Sequence, residues 1–206
     1  MNGPDPASLT FDPQGLIVAV AQEIATGTVL MVAYMDREAV ARTLDTGEAH
    51  FFSRSRQARW HKGETSGNVL HVEEIQADCD ADALLLSVHP AGPACHSGRQ
   101  SCFAGPATLV DRLDATLRDR KARRPPGSYT ARLFDSGRLA ILRKLGEEAV
   151  ETLLAGAAEG DDALLHEVAD LWFHSMVLLA ERGLSAGAVL GALEERRRRR
   201  SPDVIP

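Results

Sequence analysis

The 206-residue sequence predicts two domains of different class: a strand-rich α+β domain with one main helix, followed by an all-α helical domain. Three observations carry this. Short apolar runs bounded by turn residues dominate the chain from Gly15 to about Pro90. Beyond Gly105-Pro106 the apolar residues recur at helical spacing, beginning with Leu109, Leu113 and Leu117. The charge balance changes at the same place: residues 1–105 carry 7 Lys and Arg against 13 Asp and Glu, and the remainder carries 16 of each. An acidic front domain is poorly suited to non-specific nucleic-acid binding, although it can hold cations.

The opening Met1-Asn2-Gly3-Pro4-Asp5-Pro6 lacks the basic and apolar regions of a signal peptide, and residues 1–14 read as a disordered lead-in. Leu16-Ile17-Val18-Ala19-Val20 and Val29-Leu30-Met31-Val32-Ala33-Tyr34 read as strands separated by the turn residues Thr26-Gly27. Asp36 is a good N-cap for a helix over residues 37–46, which Gly47 closes. Residues 49–53, 69–76 and 84–88 supply further strands. Between the first two lie a basic stretch, Ser53-Arg54-Ser55-Arg56, and a polar loop, Lys62-Gly63-Glu64-Thr65-Ser66-Gly67. In the rear half a basic, proline-bearing break at residues 123–127 precedes three helices, at about 138–155, 163–182 and 186–200. The domain boundary falls at residues 104–107, giving domains 15–105 and 106–206. No stretch approaches the ~20 apolar residues that cross a bilayer.

Three cysteines, Cys79, Cys95 and Cys102, are an odd number. That argues against a disulfide framework and for a reducing compartment, the cytoplasm by default. Three thiolates around Zn²⁺ would leave its fourth position open to water, as catalysis requires. His96, beside Cys95, is placed to move a proton. Spacings of sixteen and seven are not those of a C-x-x-C knuckle, however, and buried free cysteines are common. Spacing alone leaves both readings open.

In Asp78-Cys79-Asp80-Ala81-Asp82, an extended chain would point the three aspartates to one side and Cys79 to the other. Carboxylates so crowded repel unless a hard cation such as Mg²⁺ neutralises them. A solvated acidic turn is the alternative. Arg54, Arg56, Lys62, Thr65 and Ser66 offer guanidinium, ammonium and hydroxyl donors suited to phosphate, in loops that taken singly could equally be solvated.

In this order, these residues resemble the phosphoribosyl-AMP cyclohydrolase family of histidine biosynthesis. The resemblance runs from Gly15 to Gly105. It rests on Leu30-Met31-Val32-Ala33-Tyr34-Met35, Ser53-Arg54-Ser55-Arg56, Trp60-His61-Lys62-Gly63-Glu64-Thr65-Ser66-Gly67, Asp78-Cys79-Asp80-Ala81-Asp82, Cys95-His96-Ser97-Gly98 and Ser101-Cys102-Phe103. It implies zinc held by Cys79, Cys95 and Cys102, with Cys79 supplied across a dimer interface, and magnesium held by Asp78, Asp80 and Asp82. It further implies attack by zinc-activated water on C6 of an N1-substituted adenine, opening the ring at N1–C6, with His96 as general base. Pro90 stands where the family pattern leads one to expect glutamine, before the Gly92-Pro93-Ala94-Cys95 turn, at a supporting position that is not an implied ligand.

In the rear half, Glu147 and Glu151 are four apart and Glu148 and Glu151 three apart, so one helix face is crowded with carboxylates. The following helix is apolar on nearly every side, which implies burial, yet Glu167, Asp170 and His174 form a polar stripe along it. A cation between the two helices would resolve that conflict. Solvent exposure of the glutamates, with Asp170 paired to an arginine, is the alternative. His174 and His166 read as structural groups. The basic run 196–200 reads as a solvated face that suits the helix dipole.

This E-E-x-x-E and E-x-x-D pattern resembles the all-α nucleoside-triphosphate pyrophosphohydrolases. Within that group, Ser128-Tyr129-Thr130-Ala131-Arg132-Leu133 and Lys144-Leu145-Gly146-Glu147-Glu148 resemble phosphoribosyl-ATP pyrophosphohydrolase. The resemblance implies Mg²⁺ on Glu147, Glu148, Glu151, Glu167 and Asp170, a catalytic glutamate (Glu148 or Glu151) that activates water, and phosphate contacts from Lys144 and Arg132. The two halves together imply consecutive reactions on one nucleotide, in a homodimer or larger assembly, with no nucleic-acid or membrane partner. Two alternatives are a zinc deaminase fused to a house-cleaning nucleotide pyrophosphatase, and a structural-zinc binding module without activity. The H-x-E with P-C-x-x-C pattern of nucleobase deaminases is absent.

Overall fold

The structure is a computed structural model that describes residues 3–105 and 108–199. It divides into two compact units, residues 1–107 and 108–206. The first is α+β and the second all-α, the class that the apolar spacing implies.

The front unit is a six-stranded sheet in the order β4-β3-β2-β1-β6-β5, with β1 (Ile17–Glu23), β2 (Val29–Met35), β3 (His50–Ser53), β4 (Ala58–His61), β5 (Leu70–Ala77) and β6 (Ala83–Pro90). Central β1 pairs antiparallel with β2 and parallel with β6; the remaining pairs are antiparallel. Ala19, Ala21, Leu84, Leu86 and Val88 alternate into the core around fully buried Phe51, Leu30 and Met35. The single helix α1 (Arg37–Thr46) begins where Asp36 accepts a hydrogen bond from Ala39 N (2.8 Å) and ends at left-handed Gly47. Buried Thr43 donates to Ala39 O and accepts from His50 N, which ties α1 to β3. β4 is absent from the sequence reading because Ala58-Arg59-Trp60-His61 is a short, polar edge strand without apolar alternation.

Two expectations for this unit are corrected. Residues 3–14 are ordered rather than a disordered lead-in. Leu9 is buried in the core, Thr10 N donates to Ala81 O, and the Arg37 guanidinium donates to Pro6 O and lies 4.4 Å from the Phe11 ring centre. Burial of Leu9 and Phe11 supplies what the polar composition of the segment concealed. The Asp78–Asp82 segment is a hairpin turn between β5 and β6 rather than an extended strand, with Ala81 at φ +60°. Met1, Asn2, Pro106, Ala107 and residues 200–206, with parts of the predicted lead-in, boundary and basic run, lie outside the described residues.

The rear unit comprises α2 (Leu109–Arg123), α3 (Tyr129–Asp135), α4 (Arg138–Ala158), α5 (Asp161–Glu181) and α6 (Ala186–Arg199). A two-residue link makes α4 and α5 antiparallel neighbours. Leu117, Phe134, Ile141, Met176 and Val177 form the core. Polar groups join the helix ends: buried Asp114 Oδ2 accepts from Ala186 N, and half-buried Lys121 Nζ donates to Ala180 O and Glu181 O at the end of α5. The short α3 has no counterpart in the sequence reading, since seven residues hold too little periodicity to register.

For α5 the structure departs from expectation twice. The helix is long and apolar enough, by length and composition, to cross a membrane, a property that the sequence reading denied to every segment. It is also not buried on all sides within this chain. Leu165 and Trp172 are exposed, as are Leu139, Leu153 and Leu154 on α4, because the remaining helices cover one side of the hairpin only.

Candidate functional sites

In the front unit, β4 and the loop that follows form one wall of a cavity of about 480 Å³, and the loop carrying Cys95 and Cys102 forms the other. The first wall is held rigidly. Lys62 is buried and donates from Nζ to Asn68 O (2.9 Å), and Gly63 adopts φ +95° with Val69 N so close that no Cβ fits. In the second, Cys95 N donates to Arg99 O and Cys102 N to Leu30 O, which ties the loop to β2.

Arg56, Lys62, Thr65, Ser66, Cys95, His96 and Cys102 all line this cavity. Arg54 does not, since its guanidinium stacks 3.9 Å above the Tyr34 ring. Cys95 Sγ lies 3.1 Å from Ser97 Oγ and 3.9 Å from Arg99 Nη2. Donation by the Ser97 hydroxyl and backbone brings its thiol down to about 6 against the opposing effect of burial. Burial and the neighbouring Cys95 charge push Cys102 up. Burial lowers the Lys62 ammonium, opposed by attraction to both thiolates. His96 is exposed, with Nδ1 4.0 Å from Cys95 Sγ. Trp60, the first residue of the quoted loop motif, and Asn68, which follows its last, also line the cavity, and the sequence assigns neither a role.

Cys79 is elsewhere. It is exposed at the β5–β6 turn, while Cys95 follows the opposite end of that hairpin, whose seven register steps span about 23 Å at ~3.3 Å per residue. Around Cys79 the turn gathers Asp78, Asp80 and Asp82, with one oxygen from each within 4.8 Å of the others. Asp78 Oδ1 accepts from Asp82 N and Ala83 N, and the charges of Asp80 and Asp78 raise the Asp82 carboxyl.

In the rear unit, Glu148 and Glu151 on α4 and Glu167 on α5 bring oxygens within 4.8 Å of one another. Glu148 is 3% exposed. Burial drives its carboxyl upward, but the hydrogen bond and charge of Lys144, aided by His174, leave it below the usual carboxylate range. Burial and the Glu148 charge raise Glu151. Glu147 falls outside the trio and faces Arg143 and Lys144. Asp170 is exposed and also outside it, although its carbonyl accepts from His174 Nδ1 (2.9 Å). Lys144 is occupied by Glu148 at 2.6 Å, and Arg132 donates to Gly127 O. His166 is exposed, whereas His174 is buried beside Glu148.

A cavity lined by two thiols and an acid-lined helical hairpin, each on its own folded unit, belong to a two-domain hydrolase acting on nucleotide-derived small molecules. Residues 31–104 match the family model of phosphoribosyl-AMP cyclohydrolase, and residues 110–197 match that of phosphoribosyl-ATP pyrophosphohydrolase. The chain is 50% identical over 184 residues to the histidine biosynthesis bifunctional protein HisIE of Xanthomonas axonopodis pv. citri, covering 89% of each chain. It is 46% identical over 206 residues to the HisIE protein of Thermus thermophilus, covering 96% of each. With that of Bacillus subtilis it shares 45% identity over 197 residues, 91% of this chain and 94% of the relative. The chain belongs to this family of bifunctional histidine-biosynthesis enzymes, with a cyclohydrolase and a pyrophosphohydrolase domain. The match sets aside the deaminase and inactive-module alternatives.

Proposed function

We propose that the rear unit performs Mg²⁺-dependent hydrolysis of phosphoribosyl-ATP to phosphoribosyl-AMP and pyrophosphate, and that the front unit then performs Zn²⁺-dependent opening of the adenine ring at N1–C6. The observation that carries this reading is that each unit concentrates a donor set of the right chemistry. Paired thiols, one already low in pKa, suit zinc; two carboxylate trios suit a hard cation. The Asp82 carboxyl is raised first by the charges of Asp80 and Asp78, and that of Glu151 by burial and then by the charge of Glu148; a bound cation would offset both.

When bound, zinc supplies a polarised water at neutral pH, and magnesium neutralises charge on the phosphates. The chain's own groups do the rest. Ser97 keeps Cys95 ionised, and Lys62, fixed by Asn68 O, balances the thiolate charge. Arg56, Thr65 and Ser66 bind phosphate at the cavity wall. His96 takes the proton from water attacking C6 and returns it to N1 as the N1–C6 bond breaks. In the rear unit Glu148, held ionised by Lys144, is a cation ligand together with Glu167. Glu151, with its raised carboxyl, is the better proton acceptor for water attacking the α-phosphorus. Glu147 and Asp170 lie at the margin of this trio; Arg132 and Arg54 are outer phosphate contacts.

The enzyme works as a homodimer or larger assembly. Cys79 is too far from Cys95 in one chain to share its metal, so the third thiolate comes from a second copy. The exposed apolar surface of α4 and α5 supports association as well. Reduced thiols suit the cytoplasm.

The test is a product assay with phosphoribosyl-ATP, Mg²⁺ and Zn²⁺. Wild type yields pyrophosphate and the ring-opened product, Cys95→Ala stops at phosphoribosyl-AMP, and Glu148→Ala releases no pyrophosphate. Pyrophosphate release from ordinary nucleoside triphosphates, with phosphoribosyl-ATP left intact, would overturn the assignment.

A further inference from the structure

The Ser128-Tyr129-Thr130 motif has no part in the chemistry above, and His174 is one of few polar side chains buried in the rear unit. The structure joins them. Ser128 caps α3 through Ala131 N and is itself held by Arg120 Nη1 (2.8 Å), which fixes where the helix begins. That start puts the Tyr129 hydroxyl 3.1 Å from His174 Nε2, with the two rings edge to face. The other ring nitrogen, Nδ1, lies 2.9 Å from Asp170 O and 3.6 Å from Glu148 Oε1. A carbonyl only accepts, so Nδ1 carries the hydrogen, and in the neutral ring Nε2 accepts from Tyr129. Phe173 packs edge-on against the same ring.

Oε1 of Glu148 therefore has one donor, Lys144 Nζ at 2.6 Å, and beside it the Nδ1 edge of His174, whose N–H goes to the Asp170 carbonyl. We infer that Tyr129 and His174 are a positioning pair, whose ring edge holds the Glu148 carboxylate in place, with Oε1 beside Lys144, so that the carboxylate is presented to the ion shared with Glu151 and Glu167. The inference rests on the reading of that trio as the magnesium site. Tyr129 fixes the ring, and the ring spans α4 and α5 by touching Glu148 on one and the Asp170 carbonyl on the other. Groups that orient a metal ligand from behind commonly set affinity and rate by about ten- to a hundredfold when removed.

The experiment uses the full chain and Mn²⁺ as the probe, with binding followed by electron paramagnetic resonance, alongside steady-state pyrophosphate release and thermal melting. Tyr129→Phe keeps the ring and removes the hydroxyl. It is expected to weaken Mn²⁺ binding and lower kcat, each by about tenfold, with KM for phosphoribosyl-ATP unchanged. His174→Asn retains an N–H near the Nδ1 position and should preserve more Mn²⁺ affinity than His174→Leu. Adding Tyr129→Phe to His174→Asn should then cost nothing further, because the hydroxyl acts only through the ring. A rise in KM alone for Tyr129→Phe would make Tyr129 a substrate contact and overturn the pair. Losses that follow the melting temperature across all variants would overturn it too, by reducing both residues to packing. Glu148→Gln separates the levels. If it keeps as many Mn²⁺ sites as wild type, the magnesium reading of the rear trio falls; if it loses one site while the Tyr129 and His174 variants keep theirs at wild-type affinity, only the positioning pair falls.

Discussion

Lys144 Nζ stands 2.6 Å from Glu148 Oε1, four residues further along α4, and the pair couples a partly exposed cation to an almost fully buried carboxylate. Lysine at this position suggests a phosphate contact in the sequence, but here it is committed to a glutamate. Replacing it removes the main neutralising partner of a buried carboxylate. Lys144→Met should raise the Glu148 carboxyl and cost about 1–3 kcal/mol of stability, at the lower end because Lys144 is itself solvated. Pyrophosphate release should fall while ring opening of supplied phosphoribosyl-AMP persists. Equal loss of both activities would contradict the assignment.

Opposing carboxyl shifts give the metal-free protein a defined pH response. Glu148 is lowered, so its contribution is present above the unfolded carboxylate range and is lost as pH falls through the folded value. Glu151 and Asp82 are raised, so theirs is present at low pH and is lost as pH rises through the folded values. Mg²⁺ relieves the second pair only where they are ionised. The melting temperature should therefore rise on adding Mg²⁺ at pH 7–8, and the gain should vanish as pH falls through the carboxylate range, about 4–5. A gain that is the same at every pH would count against cation binding at these trios.

How far the sequence disclosed this molecule depends on the range of the interactions concerned. Helix α1 was legible to the residue because Asp36 and Gly47 cap it locally. Strand β4 was not, since Ala58–His61 owes its conformation to pairing with β3 rather than to its own pattern. The aspartate trio was legible as a cluster, but the turn that gathers it was not, because Ala81 in the left-handed region carries no compositional mark. Cys95 and Cys102 meet because their loop is tied to β2, which no spacing encodes. Likewise Tyr129 and His174 are 45 residues apart and touch only through the tertiary packing that places the start of α3.

The low thiol pKa of Cys95 has a direct chemical readout. At pH 7 in metal-free protein Cys95 is largely thiolate, since its value is about 6, whereas Cys102 remains a thiol. Alkylation by iodoacetamide, read by mass spectrometry, should modify Cys95 with a midpoint near that value and Cys102 only at more alkaline pH. Ser97→Ala should move the Cys95 midpoint upward, and Zn²⁺ should protect both. Identical pH profiles for the two cysteines would remove the proposed role of Ser97.

Gly63 offers a way to damage one site alone. Its φ of +95° and the 2.4 Å between a hypothetical Cβ and Val69 N leave no room for alanine without moving the loop that carries Thr65 and Ser66. Gly63→Ala should cost about 1–3 kcal/mol in the front unit. Ring opening should fall at least about tenfold, the loss expected from about 1.4 kcal/mol in the barrier. Pyrophosphate release should be unchanged. If ring opening survives, the loop does not shape the substrate cavity.

Separation of Cys79 from Cys95 by the length of the β5–β6 hairpin makes the shared zinc site testable without a structure of the assembly. Cys79→Ala and Cys95→Ala should each lack ring-opening activity. In a mixed dimer, the intact Cys79 of the second variant meets the intact Cys95 and Cys102 of the first, and one of two sites is complete. If subunits exchange at random, half of the dimers are mixed, so mixing should restore roughly a quarter of wild-type activity per site, with one zinc in each mixed dimer. Pyrophosphate release, which needs neither cysteine, should be the same before and after mixing. Failure to regain ring opening, despite subunit exchange shown by native mass spectrometry, would mean that Cys79 is not a ligand delivered from a second copy.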